Sequence, residues 1–202
     1  MAKIFFHPDI DYQDIQNIEK KYNSYKSNYL IDKAVAFIYQ KISRLLTIEK
    51  SILFICGPGT NGLDGLCTAT KFISEKYNVK ILLTEKSSHN HYIKKYNLSS
   101  NITDNHDSFS NYDYIVDSIF GYGFNRNLND YYITLVNSIN NSKSFIISID
   151  IPSGLNPFTG NLCPVSVRSD LLLSLMSYKK GLFTYKGRDT WRKIAHNNIV
   201  NI

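Results

Sequence analysis

Cysteine is scarce in this 202-residue chain: Cys56, Cys67 and Cys163 make an odd count, with no C-x-x-C pair and no histidine at zinc-ligand spacing. A disulfide framework and a structural zinc are therefore not expected, and the usage fits a reducing compartment. Long hydrophobic runs are also lacking. Runs such as Ile52 to Cys56 and Leu171 to Leu173 fall far short of the ~20 residues a membrane span needs, so a soluble protein is expected. Arginine is sparse: 18 of the 23 basic residues are lysines, scattered singly or in pairs. The net charge of +6 then reads as solvated faces, not as the clustered arginine and aromatic surface of a nucleic-acid binder. The start MAKIFFHPDI has one lysine and no apolar stretch of signal-peptide type. A cytoplasmic location is expected, or an organellar one where a targeting segment has been removed. No repeat and no Pro/Gly/Ser linker divides the chain, which predicts one domain over 1–202, with leading helices over 1–48 and an α/β core over 49–202.

What is present is a globular balance, 43% hydrophobic and 20% charged, which excludes a disordered chain. Apolar residues recur at helical spacing in two leading stretches, Ile15, Ile18 and Tyr22, then Leu30, Ala34, Ile38 and Ile42. Beyond Ser51 short β-rich runs alternate with amphipathic stretches, the pattern of a parallel α/β sheet. The strands are predicted at Ile52–Cys56, Val79–Leu83, Tyr114–Val116, Phe145–Ile149, Leu171–Leu175 and Ile194–Val200. Helices are predicted along the stripe Leu63, Leu66, Cys67, Thr70, Ile73, Tyr77 and over Asn129–Ile139, and loops over Ser87–Asn90 and Asn97–Asn111.

The run ICGPGTNGLDG, Ile55 to Gly65, passes from a strand through a glycine turn into a helix and contains G-x-G-x-x-G at Gly57, Gly59 and Gly62. Glu85, at the end of the next strand, stands where a dinucleotide fold places its ribose acid. Pro58, Asn61 and Asp64 argue against that fingerprint, since they stiffen the turn and put polar side chains at the helix mouth; Asp64 could equally be a simple helix cap. Asp117 and Asp150 also end strands. Carboxyl ends of parallel strands line the ligand crevice, so Asn61, Asp117, Asp150 and Ser153 are expected on one rim, where oxygens without His or Cys suit a hard cation or a polar substrate. Cys56 and Cys67 read as core, His89 and His91 as solvated, and Lys179 as either a loop charge or a reach toward a phosphate.

GPGTNGLDG, VDSIFGYGFNRN, SIDIPSGLNPFTG and DLLLSLMSYKKGL together resemble the four ordered blocks of the NAD(P)H-hydrate epimerase family, also called the YjeF N-terminal domain or apolipoprotein A-I-binding protein family. The resemblance implies a Rossmann-like three-layer α/β/α sandwich with a mostly parallel sheet. It implies a substrate pocket formed by Thr60, Asn61, Gly62, Leu63 and Asp64, by Gly121, Tyr122, Gly123, Phe124, Asn125, Arg126 and Asn127, and by Asp150 as the catalytic residue. It also implies a potassium ion on Asn61, Asp117 and Ser153, hydrated NADH or NADPH as substrate, and a homodimer. Against the family pattern Thr60 replaces an Asn, Leu63 a Gly, Met176 a Thr and Tyr178 a Pro, and Ala34-Val35 replaces a small A-G pair. Alternative readings are a non-catalytic binding or scaffold module and an NAD(P)-dependent oxidoreductase. If Asp150 alone is the acid/base, Asp150→Asn is expected to keep its fold.

Overall fold

A computed structural model describes residues 29–104 and 109–197, together with Asn17, Lys20 and Lys21. The first predicted helical stretch, Ile15 to Tyr22, lies outside the described residues apart from those three. Six strands, β1 (Ser51–Cys56), β2 (Asn78–Leu83), β3 (Tyr114–Ser118), β4 (Phe145–Ile149), β5 (Ser169–Leu175) and β6 (Trp191–Asn197), form one sheet in the order β2-β1-β3-β4-β5-β6. The sheet is expected to be mostly parallel, and every one of these pairings is parallel. Strands covered on both faces have no solvent side, which is why SILFIC and FIISI read as continuous apolar runs. Because β1 has β2 on one side and β3 on the other, the chain leaves β1 and β3 in opposite directions and a crevice opens at their carboxyl ends.

The helices make the outer layers. α1 (Tyr29–Ser43) buries Leu30, Ala34, Phe37, Ile38 and Ile42, one stripe at i, i+4, i+7, i+8 and i+12. With Leu66, Ala69 and Phe72 of α2 (Thr60–Ser74), this stripe packs on Phe54, Ile81, Val116 and Ile147. On the opposite face Leu135, Val136 and Ile139 of α4 (Asp130–Asn140) meet Leu53, Ile55 and Ile115. Asn129 sits before this helix as its cap, its side chain accepting from Tyr132 N at 3.1 Å.

Several boundaries differ from the sequence reading, each for a local reason. α2 starts at polar Thr60 and ends at Ser74, because Lys76 turns left-handed (φ 70); Tyr77 then meets Phe72 edge-on from outside the helix. A short helix α3 (Asn90–Lys95) stands next to the predicted loop at Ser87–Asn90, and the stretch 97–111 holds two 3-10 turns, Ser99–Asn101 and Phe109–Asn111. β6 begins at Trp191, not Ile194, and 198–200 lie outside the described residues. The early start has an anchor: Trp191 is buried, with its indole N–H donating to the Leu182 carbonyl at 3.1 Å, while exposed Arg192 and Lys193 hide an edge strand from a hydropathy pattern. α5 (Tyr185–Arg188) is a single turn between β5 and β6.

Candidate functional site

Two glycines of the turn after β1 are there because backbone passes where a side chain would be. The Gly57 N–H donates to the Ser118 carbonyl at 3.1 Å, and a Cβ on Gly57 would stand 1.9 Å from the Ile119 oxygen. A Cβ on Gly62 would stand 1.8 Å from the Gly57 oxygen, whereas Gly59 has open space around it. Gly62→Ala therefore reverses its ordinary helix-favouring sign: instead of gaining about 1 kcal/mol of propensity it forces backbone apart, with a net cost of about 2–3 kcal/mol. Thermal unfolding should show a fall of about 5–10 °C, and a melt at or above wild type would refute the tight approach.

A cavity of about 640 Å³ opens at the carboxyl ends of the central strands. Thr60, Asn61, Asp64 and Asp150 give it polar groups; Leu30, Ala34, Leu63, Leu175 and Met176 give an apolar wall; Gly121, Tyr122, Gly123, Phe124 and Arg126 come from the loop after β3. The structure thus places most of the predicted pocket residues on one cavity. Gly62, Asn125 and Asn127 are not on its wall: Gly62 faces the Gly57 carbonyl, and the two asparagines are exposed. Glu85, the candidate ribose acid, is exposed and off the wall as well. Leu30 and Ala34 show that the leading helix closes the pocket, where the family pattern marked only the Ala34-Val35 pair and gave it no role.

Asp117 and Ser153 lie beneath the cavity, both 0% exposed. Asp117 Oδ2 accepts from Ser148 Oγ (2.8 Å) and Ser153 N (2.9 Å), and Oδ1 from Ser153 Oγ (2.5 Å) and, at a longer 3.3 Å, from Ile119 N. Ser153 Oγ in turn accepts from Phe120 N at 3.0 Å. Burial pushes the Asp117 carboxyl upward more than these donors draw it down. Among the described residues, no Lys or Arg forms an ion pair with it. Asn61 joins the same assembly, donating through Nδ2 to the carbonyls of Phe120 (2.9 Å) and Ile149 (3.2 Å). Both partners are acceptors, which fixes the amide orientation and leaves its Oδ1 buried with no hydrogen-bond partner among the described residues. A buried carbonyl-type oxygen without a donor, joined through Phe120 and Ser153 to a buried carboxylate without a Lys or Arg partner among the described residues, offers oxygen ligands of the kind that suit a hard cation. No group of three His, Cys, Asp or Glu gathers among the described residues.

Asp150 holds a left-handed backbone (φ 69), a conformation that Asp tolerates better than most residues and that aims its carboxyl at the cavity. Its Oδ2 accepts from Tyr122 N at 2.9 Å, tying the β3 loop to the end of β4. Its Oδ1 is ion-paired with Lys179, whose Nζ also donates to the Leu175 carbonyl at 2.6 Å. Lys179 is only 4% exposed and absent from the cavity wall, so it stands behind Asp150. Lys179 does lie in a loop, but buried against a carboxylate and not reaching the cavity, and Asp150 is not a lone carboxyl. The sequence separates the two by 29 residues across a whole crossover, so no local pattern signals the pair. Gly121 fits between Asp150 and Asn61, where a Cβ would approach Asp150 Oδ2 to 3.1 Å and Asn61 Cβ to 3.2 Å.

Cys56 is buried and burial pushes its thiol up to about 12, in keeping with a core role. Cys67 is half-buried in a second groove between α1, α2 and α3, with its thiol raised by burial to about 11, so its place is at a margin of the core. His91 is exposed, whereas His89, expected in solvent, is half-buried against the glycine turn.

Comparison with known proteins bears on this arrangement. The sequence profile described as "YjeF-related protein N-terminus" matches residues 27–181, from the start of the leading helix to the Lys179 segment. An NAD(P)H-hydrate epimerase of Oenococcus oeni is 31% identical over 170 residues, 80% of each chain. An NAD(P)H-hydrate epimerase of Dictyostelium discoideum is 34% identical over 151 residues, 70% of this chain and 64% of that one. A bifunctional NAD(P)H-hydrate repair enzyme Nnr of Thermofilum pendens is 31% identical over 86% of this chain, but the match spans only 36% of that protein's length. The crystal structure of yeast ynu0 superposes with a TM-score of 0.74 at 21% identity, covering 91% of this chain and 85% of that one, a likeness of fold. No helix among the described residues is long and apolar enough to cross a membrane. The profile match takes in the glycine turn, the buried Asp117 assembly and the Asp150–Lys179 pair, and by it the chain belongs to the family of YjeF-related protein N-termini.

Proposed function

We propose that this protein interconverts the R and S forms of hydrated NADH or NADPH. The observation that carries the reading is the Asp150–Lys179 pair at the edge of a cavity that has one polar and one apolar wall. In the hydrate, C6 of the nicotinamide ring bears a hydroxyl beside the ring nitrogen. When the hydroxyl takes a proton the nitrogen lone pair expels water and an iminium forms; water then returns to either face and gives the proton back. The pair meets both needs. The buried ammonium supplies the proton, passed through the carboxyl it contacts, and Asp150 left as a carboxylate faces the developing cation. The Tyr122 N–H holds the other carboxylate oxygen in place, and the walls of Leu63, Leu175 and Met176 shield the iminium from bulk water.

The test is to separate the epimers chromatographically after incubation with and without the protein. Equilibration faster than the spontaneous rate is expected; no acceleration at micromolar protein would overturn the assignment. A potassium ion would be held by the Asn61, Asp117 and Ser153 oxygens, the first of which has no hydrogen-bond partner among the described residues. Bound there, it would neutralise part of the acid cluster and brace the β3 and β4 loops. At ten times the dissociation constant such an ion adds about 1.4 kcal/mol. The melting temperature should then rise by about 3–6 °C in potassium over sodium at equal ionic strength, and Asn61→Leu should abolish the difference. Equal melts in both salts would remove the cation from the site.

A further inference from the structure

The loop between β2 and α3 sends one imidazole into the glycine turn. His89 is left-handed (φ 57), and its Nε2 lies 2.8 Å from the Gly57 carbonyl oxygen. A carbonyl oxygen only accepts, so the nitrogen facing it carries a proton and donates. The backbone that presents the ring is itself secured: the His89 carbonyl accepts from Tyr92 N (2.9 Å) and Ile93 N (3.1 Å) at the start of α3, and Thr84 N donates to the Cys56 carbonyl at 3.0 Å. A left-handed histidine persists where its surroundings hold it.

The Gly57 carbonyl is also the atom on which α2 rests, since an ideal Cβ at Gly62 would fall 1.8 Å from it. On the far side the turn is held by Gly57 N–H on Ser118 and by its close approach to Ile119. The peptide is thus gripped between the end of β3 and the imidazole, and any shift of its carbonyl moves the first turn of α2, which carries Thr60, Asn61 and Asp64 on the cavity wall. We infer that His89 is a positioning residue for this site: its imidazole N–H fixes the Gly57 carbonyl and, through it, the placement of Asn61 and Asp64. Only the kinetic part of the following test rests on the epimerase reading.

Two variants separate the hydrogen bond from the loop. His89→Asn accepts the left-handed backbone but is too short to reach Gly57, whereas His89→Gln carries an amide N–H to about the reach of Nε2. Backbone amide exchange at Gly59 to Asp64 should be about fivefold faster in His89→Asn and return to within about twofold of wild type in His89→Gln. KM for the hydrate epimers should rise about fivefold in His89→Asn with kcat within twofold, because the binding wall loosens while the Asp150–Lys179 pair is untouched, and His89→Gln should restore it. Unchanged exchange and KM in His89→Asn would overturn the proposal. So would equal impairment in both variants, which would assign the effect to the loop backbone. If the wild-type protein does not epimerise the hydrate, the activity reading fails by itself, and the exchange measurement still decides the role of His89.

Discussion

Asp150→Asn should lose about 10² or more of its epimer turnover and should also melt lower, by about 6–12 °C. The second effect departs from the expectation drawn from sequence. Asparagine keeps the shape, the acceptor toward Tyr122 N and the tolerance for φ 69, but it leaves the Lys179 ammonium, 4% exposed, without its countercharge. Breaking a buried pair on one side costs about 3–5 kcal/mol, and with the amide oxygen kept on Tyr122 N the amide NH2 group faces the ammonium, so a loss of at least about 3 kcal/mol is expected. The double variant Asp150→Asn with Lys179→Met removes the stranded charge and should recover most of the melting temperature while staying inactive. Turnover without recovery of stability, or recovery of both, contradicts this account. A folded single variant with near-normal turnover would pass the acid/base role to Asp64, the other carboxyl on the cavity wall.

Asp117→Ala should be the most damaging substitution for the fold itself. It leaves the Ser153 N–H, the Ser153 and Ser148 hydroxyls and the Ile119 N–H without their acceptor at a site with no exposure. The hydroxyls can turn to other partners and the backbone N–H of Ser153 cannot, so of about 1–3 kcal/mol for each stranded donor a total of about 3–5 kcal/mol is expected. Urea titration measures this as a lower midpoint with little change in slope, and thermal melting as a drop of about 10 °C. Any stabilisation by potassium should disappear in the same variant. Asp117→Asn retains one acceptor oxygen but turns an amide donor toward donors, so it should rescue only part of the loss. A melt of Asp117→Ala within about 2 °C of wild type would show that the assembly supports the cation alone and not the loops.

The sequence by itself determined the sheet and most of its dressing. Ile81, Leu82 and Leu83, or Ile146, Ile147 and Ile149, can be buried on both faces only in a parallel sheet under helices, and the apolar stripes of α1 and α4 can face only that sheet. It also determined which strand ends carry oxygens, because glycine turns and strand-terminal acids are local patterns. Where local patterns are weak, the reading failed: six-residue α3 is too short for a stripe, and edge strand β6 starts on a tryptophan followed by two charges. Tertiary structure alone decided what those oxygens do. Asp117 is a buried acceptor for four donors, Asn61 keeps an oxygen with no partner among the described residues, His89 reaches a turn 32 residues away, and Lys179 crosses behind Asp150. The physical reason is that hydropathy and turn chemistry act between neighbours in the chain, whereas a charge or a hydrogen-bonding atom is defined by what it faces once the crossovers have closed. That partner is set by strand order, not by spacing along the sequence.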